Sequence, residues 1–207
     1  LGLDGMKTLD ESRKLIPEEC FTIADAKRGD IGNTATMYAK AFLEQMDFDS
    51  ITIAPYMGQD SVEPFLQFKE KWAIVLGLTS NKGNLDFQRK KIDGTPLYEL
   101  VMKTAMQWGT DENTMFVVGA TNEEDFEHIR TFCPNHFLLV PGVGAQGGDL
   151  EKLSQYGLNK DIGLLVNSTR GIIYASNGKD FAERAREEAL AINEQMKSLI
   201  DKYSPSV

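Results

Sequence analysis

The sequence predicts an α/β fold of parallel strands, on three observations. Apolar runs centred near residues 22, 52, 75, 117, 139 and 165 alternate with segments whose apolar residues recur at helical spacing. The runs are continuous, which is how parallel strands buried on both faces read. Polar and glycine-rich segments follow the strands and do not precede them, as expected of ligand sites at strand C-termini in closed barrels and open sheets alike.

The chain has 207 residues, 42% hydrophobic and 26% charged, which reads as one domain, residues 1–207, with a sizeable core. A net charge of −9 argues against a nucleic-acid or anionic-membrane partner, because those need a basic footprint. It leaves room for a small phosphate ligand, which needs only a few local donors. Two cysteines, Cys20 and Cys133, form no disulfide or metal pattern, so reduced thiols in a cytoplasmic protein are expected. No apolar run reaches membrane-spanning length.

Taken in order, residues 1–19 read as a loop and a helix, with Thr8 or Asp10 as cap, apolar contacts from Leu9, Leu15 and Ile16, and Pro17 near its end. Residues 20–24 read as a buried strand, and a helix follows the next turn to about Met46. Residues 50–54 are β-branched and stop at Pro55. Asp60 with Glu63 marks a helix start, with Pro64 tolerated in the first turn and the helix reaching about Lys71. Residues 72–78 form the next strand, 79–84 a polar glycine loop, and 85–94 an irregular stretch or short helix. A helix from about Leu97 to Trp108, a strand at 115–120, a helix at 123–132 and a strand at 137–140 come next. A glycine loop to Asp149, a short helix at 149–156, a strand at 163–167 and a long amphipathic helix from about Asp180 to Lys202 complete the chain. Met37, Met57, Met102 and Met106 are assigned to the core.

The chemistry concentrates in Asp25-Ala26-Lys27-Arg28-Gly29-Asp30-Ile31-Gly32-Asn33-Thr34, between a strand and a helix. Asp25 and Lys27 are two apart, so in extended backbone they point to one side, and opposite charges that close couple. A solvated, ion-paired turn is the reading that a bare D-x-K-x-x-D match favours. Position at the end of a core strand favours a catalytic one. Gly142-x-Gly144-x-x-Gly147 matches a dinucleotide fingerprint by letter, but Asn167 stands where the ribose-binding acid belongs. A better use is a phosphate lid: backbone donors and Gln146 fold over the anion, and Arg170 pairs with it bidentately. Thr79 and Ser80 are candidates for reading polar ligand edges, or for capping a turn. His128 and His136 have no metal partner at suitable spacing and read as structural or surface residues.

The charged turn, with Pro141-Gly142-Val143-Gly144-Ala145-Gln146-Gly147-Gly148 and Ser168-Thr169-Arg170-Gly171, closely resembles the orotidine 5′-monophosphate decarboxylase family. Ala54-Pro55-Tyr56-Met57-Gly58 and Leu78-Thr79-Ser80 are similar to its longer bacterial branch. The resemblance implies a TIM (β/α)8 barrel that decarboxylates orotidine 5′-monophosphate to uridine 5′-monophosphate in pyrimidine biosynthesis. It further implies a homodimer with shared active sites and no metal or organic cofactor. By the same resemblance Lys27 protonates the pyrimidine C6 and Asp25 lies beside the substrate carboxylate. Asp30 and Thr34 are lent to the neighbouring subunit's site, and Ile31 walls the departing CO2. Ser80 contacts the pyrimidine, and Gln146 and Arg170 grip the phosphate under a lid that includes Pro141 and Gly147.

The family carries two further strands before the charged motif, bearing a ribose-contacting aspartate and a second lysine. They are missing from this chain, so about 60 preceding residues are expected, at roughly 30 per strand–helix unit. Two alternatives are a magnesium-dependent sugar-phosphate decarboxylase, for which no spare strand-end acid is visible, and an inactive relative that binds nucleotide phosphate.

Overall fold

The inner strands pair in parallel because they offer apolar runs that are covered on both faces, whereas the strand that carries the charged motif joins the sheet at one end with little apolar surface. The computed structural model describes residues 2–119, 123–142 and 149–204, with Glu123 by its backbone alone. Among them β1 (Ile23–Arg28), β2 (Ser50–Ile53), β3 (Trp72–Leu78), β6 (Thr114–Val118), β7 (Leu138–Pro141) and β8 (Leu164–Asn167) hydrogen-bond in the order β1-β2-β3-β6-β7-β8. The remaining pair, β4 (Lys91–Ile92) and β5 (Thr95–Pro96), is a small antiparallel hairpin. Two compact units are described: Leu1–Leu76 with Thr104–Met115, and Gly77–Lys103 with Phe116–Val207. Strands β3 and β6 have residues in both.

In the first unit, every residue of β2 is buried, and Ile51 and Ile53 are fully so. Helix α2 (Gly32–Ala39) continues into a π-helical turn at Lys40–Gln45. It buries Ala35, Ala39, Phe42 and Leu43. Helix α3 is only Glu63–Leu66, preceded by a 3-10 turn at Gln59–Ser61. The helix expected to reach Lys71 therefore stops early, and Glu70 turns the chain back at φ +60 so that Trp72 can donate to the Asp49 carbonyl. Pro64 lies in the first turn as expected.

Helix α1 (Gly2–Lys14) starts earlier than its expected caps and buries no residue. Thr8 and Asp10 lie inside it: the Thr8 hydroxyl donates back to the Asp4 carbonyl at 2.9 Å, and Asp10 pairs with Lys14 at 2.5 Å. Leu9 and Ile16 are exposed and Leu15 is 84% exposed, so the expected apolar contacts are replaced by polar ones. Arg13 donates twice to the Asp47 carbonyl, at 3.0 and 2.7 Å.

The second unit takes Phe116–Val118 of β6, all buried, and most of α4 (Leu97–Ala105), whose fully buried Met102 lies against Gly77 of β3. Of the four methionines assigned to the core, Met37 and Met57 are instead exposed. The stretch expected to be irregular or helical carries the β4–β5 hairpin. Its turn, Asp93-Gly94, has φ +50 and +87, the two positive values a type I′ turn needs.

Helix α5 (Glu123–Phe132) matches the expected span. Helix α6 (Leu150–Gly157) is capped by Asp149, whose carboxylate accepts from the Glu151 and Lys152 amides at 2.9 and 3.3 Å, a cap worth about 1 kcal/mol. After the short α7 (Arg170–Ile173), the long α8 (Phe181–Tyr203) is tied to α6 where Lys202 and Tyr203 both meet Glu151, at 2.6 and 2.8 Å. Both cysteines are free thiols, and burial pushes Cys133 up to about 11. No helix among the described residues is long and apolar enough to cross a membrane.

Candidate active site

The strand carrying the charged motif is displaced from the apolar run that announced it. The expected strand at 20–24 is found at Ile23–Arg28, so Asp25 and Lys27 belong to the strand itself. Nor is it buried on both faces: Ala24 is buried, but Cys20, Phe21, Asp25 and Lys27 are exposed. The reason is its place at one end of the strand order, where β2 is its strand neighbour.

Thr22 fixes where pairing begins. Its backbone amide and hydroxyl both donate to the Asp49 carboxylate, at 2.7 and 2.6 Å, and the Ser50 amide and hydroxyl donate to its carbonyl. Ile23 then pairs with Ser50 and Ala24 with Ile51. The next paired residues are Arg28 and Ile53, so three residues of β1 face the single Thr52 of β2. Such a bulge re-aims side chains, and here Lys27 sits at φ +45, a left-handed conformation unusual for a lysine. Pairing resumes as the Ala54 amide donates to the Arg28 carbonyl at 2.7 Å.

On the bulge, the Lys27 ammonium donates to Oδ1 of Asp25 at 2.5 Å. The two side chains are 53% and 62% exposed, so the pair is open to a ligand. Thr52, fully buried, reaches the bulge from below: its hydroxyl accepts the Lys27 amide at 3.0 Å and donates to the same Asp25 oxygen at 2.9 Å. Arg28 anchors the other side. It donates to the Ala26 carbonyl at 2.9 Å, with its guanidinium 5.2 Å from the ring centres of both Tyr38 and Phe42.

Asp30, Ile31 and Thr34 form a separate group at the start of α2. Asp30 accepts the Ile31 amide at 2.8 Å. Ile31 is 52% exposed and Thr34 is exposed, an outward-facing edge.

In the second unit, Ser80 follows β3 in a loop held by side-chain amides. Gln88 accepts the Thr79 amide at 2.7 Å, and Asn84 donates to the Thr79 carbonyl at 2.8 Å. Gly119, at the end of β6, lets that loop come close: a Cβ there would lie 2.6 Å from the Ser80 nitrogen. Pro141 ends β7 opposite Asn167, and Gly142 leaves the sheet at φ +86 while its amide donates to the Asn167 carbonyl at 3.2 Å. Arg170, exposed, opens α7 three residues beyond Asn167. Gln146 and Gly147 lie outside the described residues. His128 pairs with Glu99 at 2.8 Å, and buried His136 packs on Phe116 with ring centres 5.5 Å apart. Among the described residues no three His, Cys, Asp or Glu side chains group as metal ligands.

Thr52 and Gly119 are the residues that sequence reasoning missed. Thr52 reads only as one β-branched member of a strand, and its partners are 25 and 27 residues away. Gly119 reads as the tail of an apolar run.

Residues 2–185 match the profile of the Orotidine 5′-phosphate decarboxylase / HUMPS family. An orotidine 5′-phosphate decarboxylase of Flavobacterium johnsoniae is 57% identical over 203 residues, 97% of this chain and 74% of that protein. The same enzyme of Christiangramia forsetii is 54% identical over 205 residues, 98% of this chain and 75% of its own length. The structure of Leishmania donovani OMP decarboxylase matches with a TM-score of 0.81 at 34% identity, covering 93% of this chain and 75% of that one.

Proposed function

The chain belongs to the orotidine 5′-phosphate decarboxylase / HUMPS family, and from this we propose that it decarboxylates orotidine 5′-monophosphate to uridine 5′-monophosphate in pyrimidine biosynthesis. The relatives reported at 54 and 57% identity both carry the decarboxylase name, which favours this reading over the sugar-phosphate alternative. The observation that carries it is the Asp25–Lys27 pair, presented on a bulge at the C-terminal end of β1 and open to solvent on one side. As architecture we assign the TIM (β/α)8 barrel, one domain, to which the six parallel strands and their strand-end polar residues belong.

Loss of CO2 from C6 leaves an electron pair on a carbon whose ring delocalises it poorly. The Lys27 ammonium stabilises that charge as it develops and then donates its proton to C6. Asp25 crowds the substrate carboxylate with like charge and orients the ammonium. Ile31 supplies apolar wall for the departing CO2, and Ser80 binds the pyrimidine. Gln146 and Arg170 take the phosphate, with Pro141 and Gly147 in the covering loop. Phosphate binding far from the breaking bond helps the reaction by closing the loop and excluding water. The edge formed by half-buried Asp30 with exposed Ile31 and Thr34 fits a homodimer in which each subunit lends Asp30 and Thr34 to the other. A cytoplasmic location is part of the same proposal.

Incubation of the full-length protein with orotidine 5′-monophosphate, followed by loss of the orotate absorbance, tests the activity. Persistence of the signal at high enzyme concentration would leave an inactive nucleotide-binding relative; loss of turnover on adding chelator would favour the magnesium-dependent class. Arg170→Ala should raise KM about 10- to 100-fold, the worth of one to two charge-assisted hydrogen bonds, with a smaller change in kcat. Base analogues without phosphate should bind both proteins alike. Equal KM values would remove Arg170 from the phosphate site.

A further inference from the structure

We propose that Thr52 is the positioning residue of the Asp25–Lys27 pair, a role that rests on the decarboxylase reading above. One buried hydroxyl makes two bonds of opposite sense: it accepts the Lys27 backbone amide at 3.0 Å and donates to Asp25 Oδ1 at 2.9 Å. That oxygen is the one that receives the Lys27 ammonium at 2.5 Å. Backbone of Lys27, hydroxyl of Thr52, carboxylate of Asp25 and ammonium of Lys27 therefore close a ring, whose only member outside the motif is Thr52.

The ring compensates for what the bulge removes. Three residues of β1 face Thr52 alone, so the Lys27 amide has no ladder partner in the regular register. Its φ of +45 is a conformation that surrounding contacts must hold in place. Thr52 is itself fixed, fully buried, with its backbone paired to Ile74 of β3. A hydroxyl with one proton and lone pairs suits a site needing a donor on one side and an acceptor on the other. Valine has the same shape and neither function. Serine has both functions without the methyl, and alanine matches serine in size but has neither.

The experiment measures steady-state kinetics of the full-length protein with Thr52→Val, Thr52→Ser and Thr52→Ala, alongside amide hydrogen exchange at Lys27. The valine and alanine variants should lose about 10- to 100-fold in kcat, as expected when a reacting group is displaced by a fraction of an ångström to an ångström, with KM within about threefold. Thr52→Ser should stay within about threefold of wild type in both. Exchange of the Lys27 amide should quicken about tenfold in Val and Ala and little in Ser. If Thr52→Val folds poorly, the Ser and Ala pair decides alone. The proposal is overturned if Ser and Ala are equally impaired, if Val turns over like wild type, or if the exchange rate is unchanged. A wild-type protein without turnover would sink the decarboxylase reading, and the exchange measurements would still decide whether Thr52 holds Lys27 in place.

Discussion

Lys27→Ala should lower kcat by at least about 1,000-fold while leaving nucleotide binding measurable, because in the proposed mechanism it removes both a charge aimed at the developing carbanion and the proton that ends the reaction. The two losses concern one group and do not multiply freely, so the expected value is a floor. Binding survives because the phosphate contacts assigned to Gln146 and Arg170 act equally on ground and transition states. Alanine is a fair comparison at this position: the backbone stands at φ +45, which disfavours alanine about as much as lysine. The melting temperature should move little, since the pair it breaks is more than half exposed. Single-turnover kinetics with saturating substrate, beside a binding titration with uridine 5′-monophosphate, separate the two effects. A kcat within about tenfold of wild type would take the acid role away from Lys27.

Arg130→Met destabilises the protein by about 3–5 kcal/mol, a fall in melting temperature of roughly 6–20 °C for a chain of this size. Arg130, in the last turn of α5, donates to four backbone carbonyls: Gly157, Cys133, His136 and Gly163, at 2.8, 3.0, 2.8 and 2.8 Å. It thereby gathers the ends of α5 and α6 and the entry to β8. Burial lowers its guanidinium to about 10, still charged at neutral pH. Methionine fills much of the same volume and takes the guanidinium away from all four carbonyls, of which that of Gly163 keeps the Leu138 amide as a donor. Lysine keeps the charge but not the planar fork, so Arg130→Lys should recover only part of the loss. Thermal unfolding of the three proteins gives the ranking. A shift under about 2 °C for Arg130→Met would mean that water replaces the guanidinium at these carbonyls.

Most of the sheet was legible because its strands are apolar runs with few other uses. β2, β3 and β7 fall within a residue or two of where hydrophobicity places them. β1 does not: its pairing begins where Thr22 locks onto Asp49, and the ladder then draws the charged residues into the strand. That lock joins residues 27 apart, which local pattern does not see. Helix α1 misled for a related reason, since Leu9, Leu15 and Ile16 look like a buried face and are exposed. The β4–β5 hairpin was legible and overlooked, for Asp93-Gly94 is among the stronger two-residue turn signals. At the site, the residue types and order in residues 25–34 were enough to pick out Asp25 and Lys27. The devices that hold the candidate residues, Thr52 under the bulge in the first unit and Gly119 beside Ser80 in the second, depend on long-range approach and were not.

The left-handed backbone at residue 27 sets foldedness against chemistry at a single codon. Lysine there costs the native state about 1–2 kcal/mol that glycine would not incur, offset in part by glycine's freer unfolded chain. A population of variants sorted only for solubility or heat resistance would therefore feel no pull toward lysine and would drift toward glycine or asparagine. Thermostabilised versions obtained without an activity screen would be enriched in well-folded, silent proteins, with the damage concentrated at this residue.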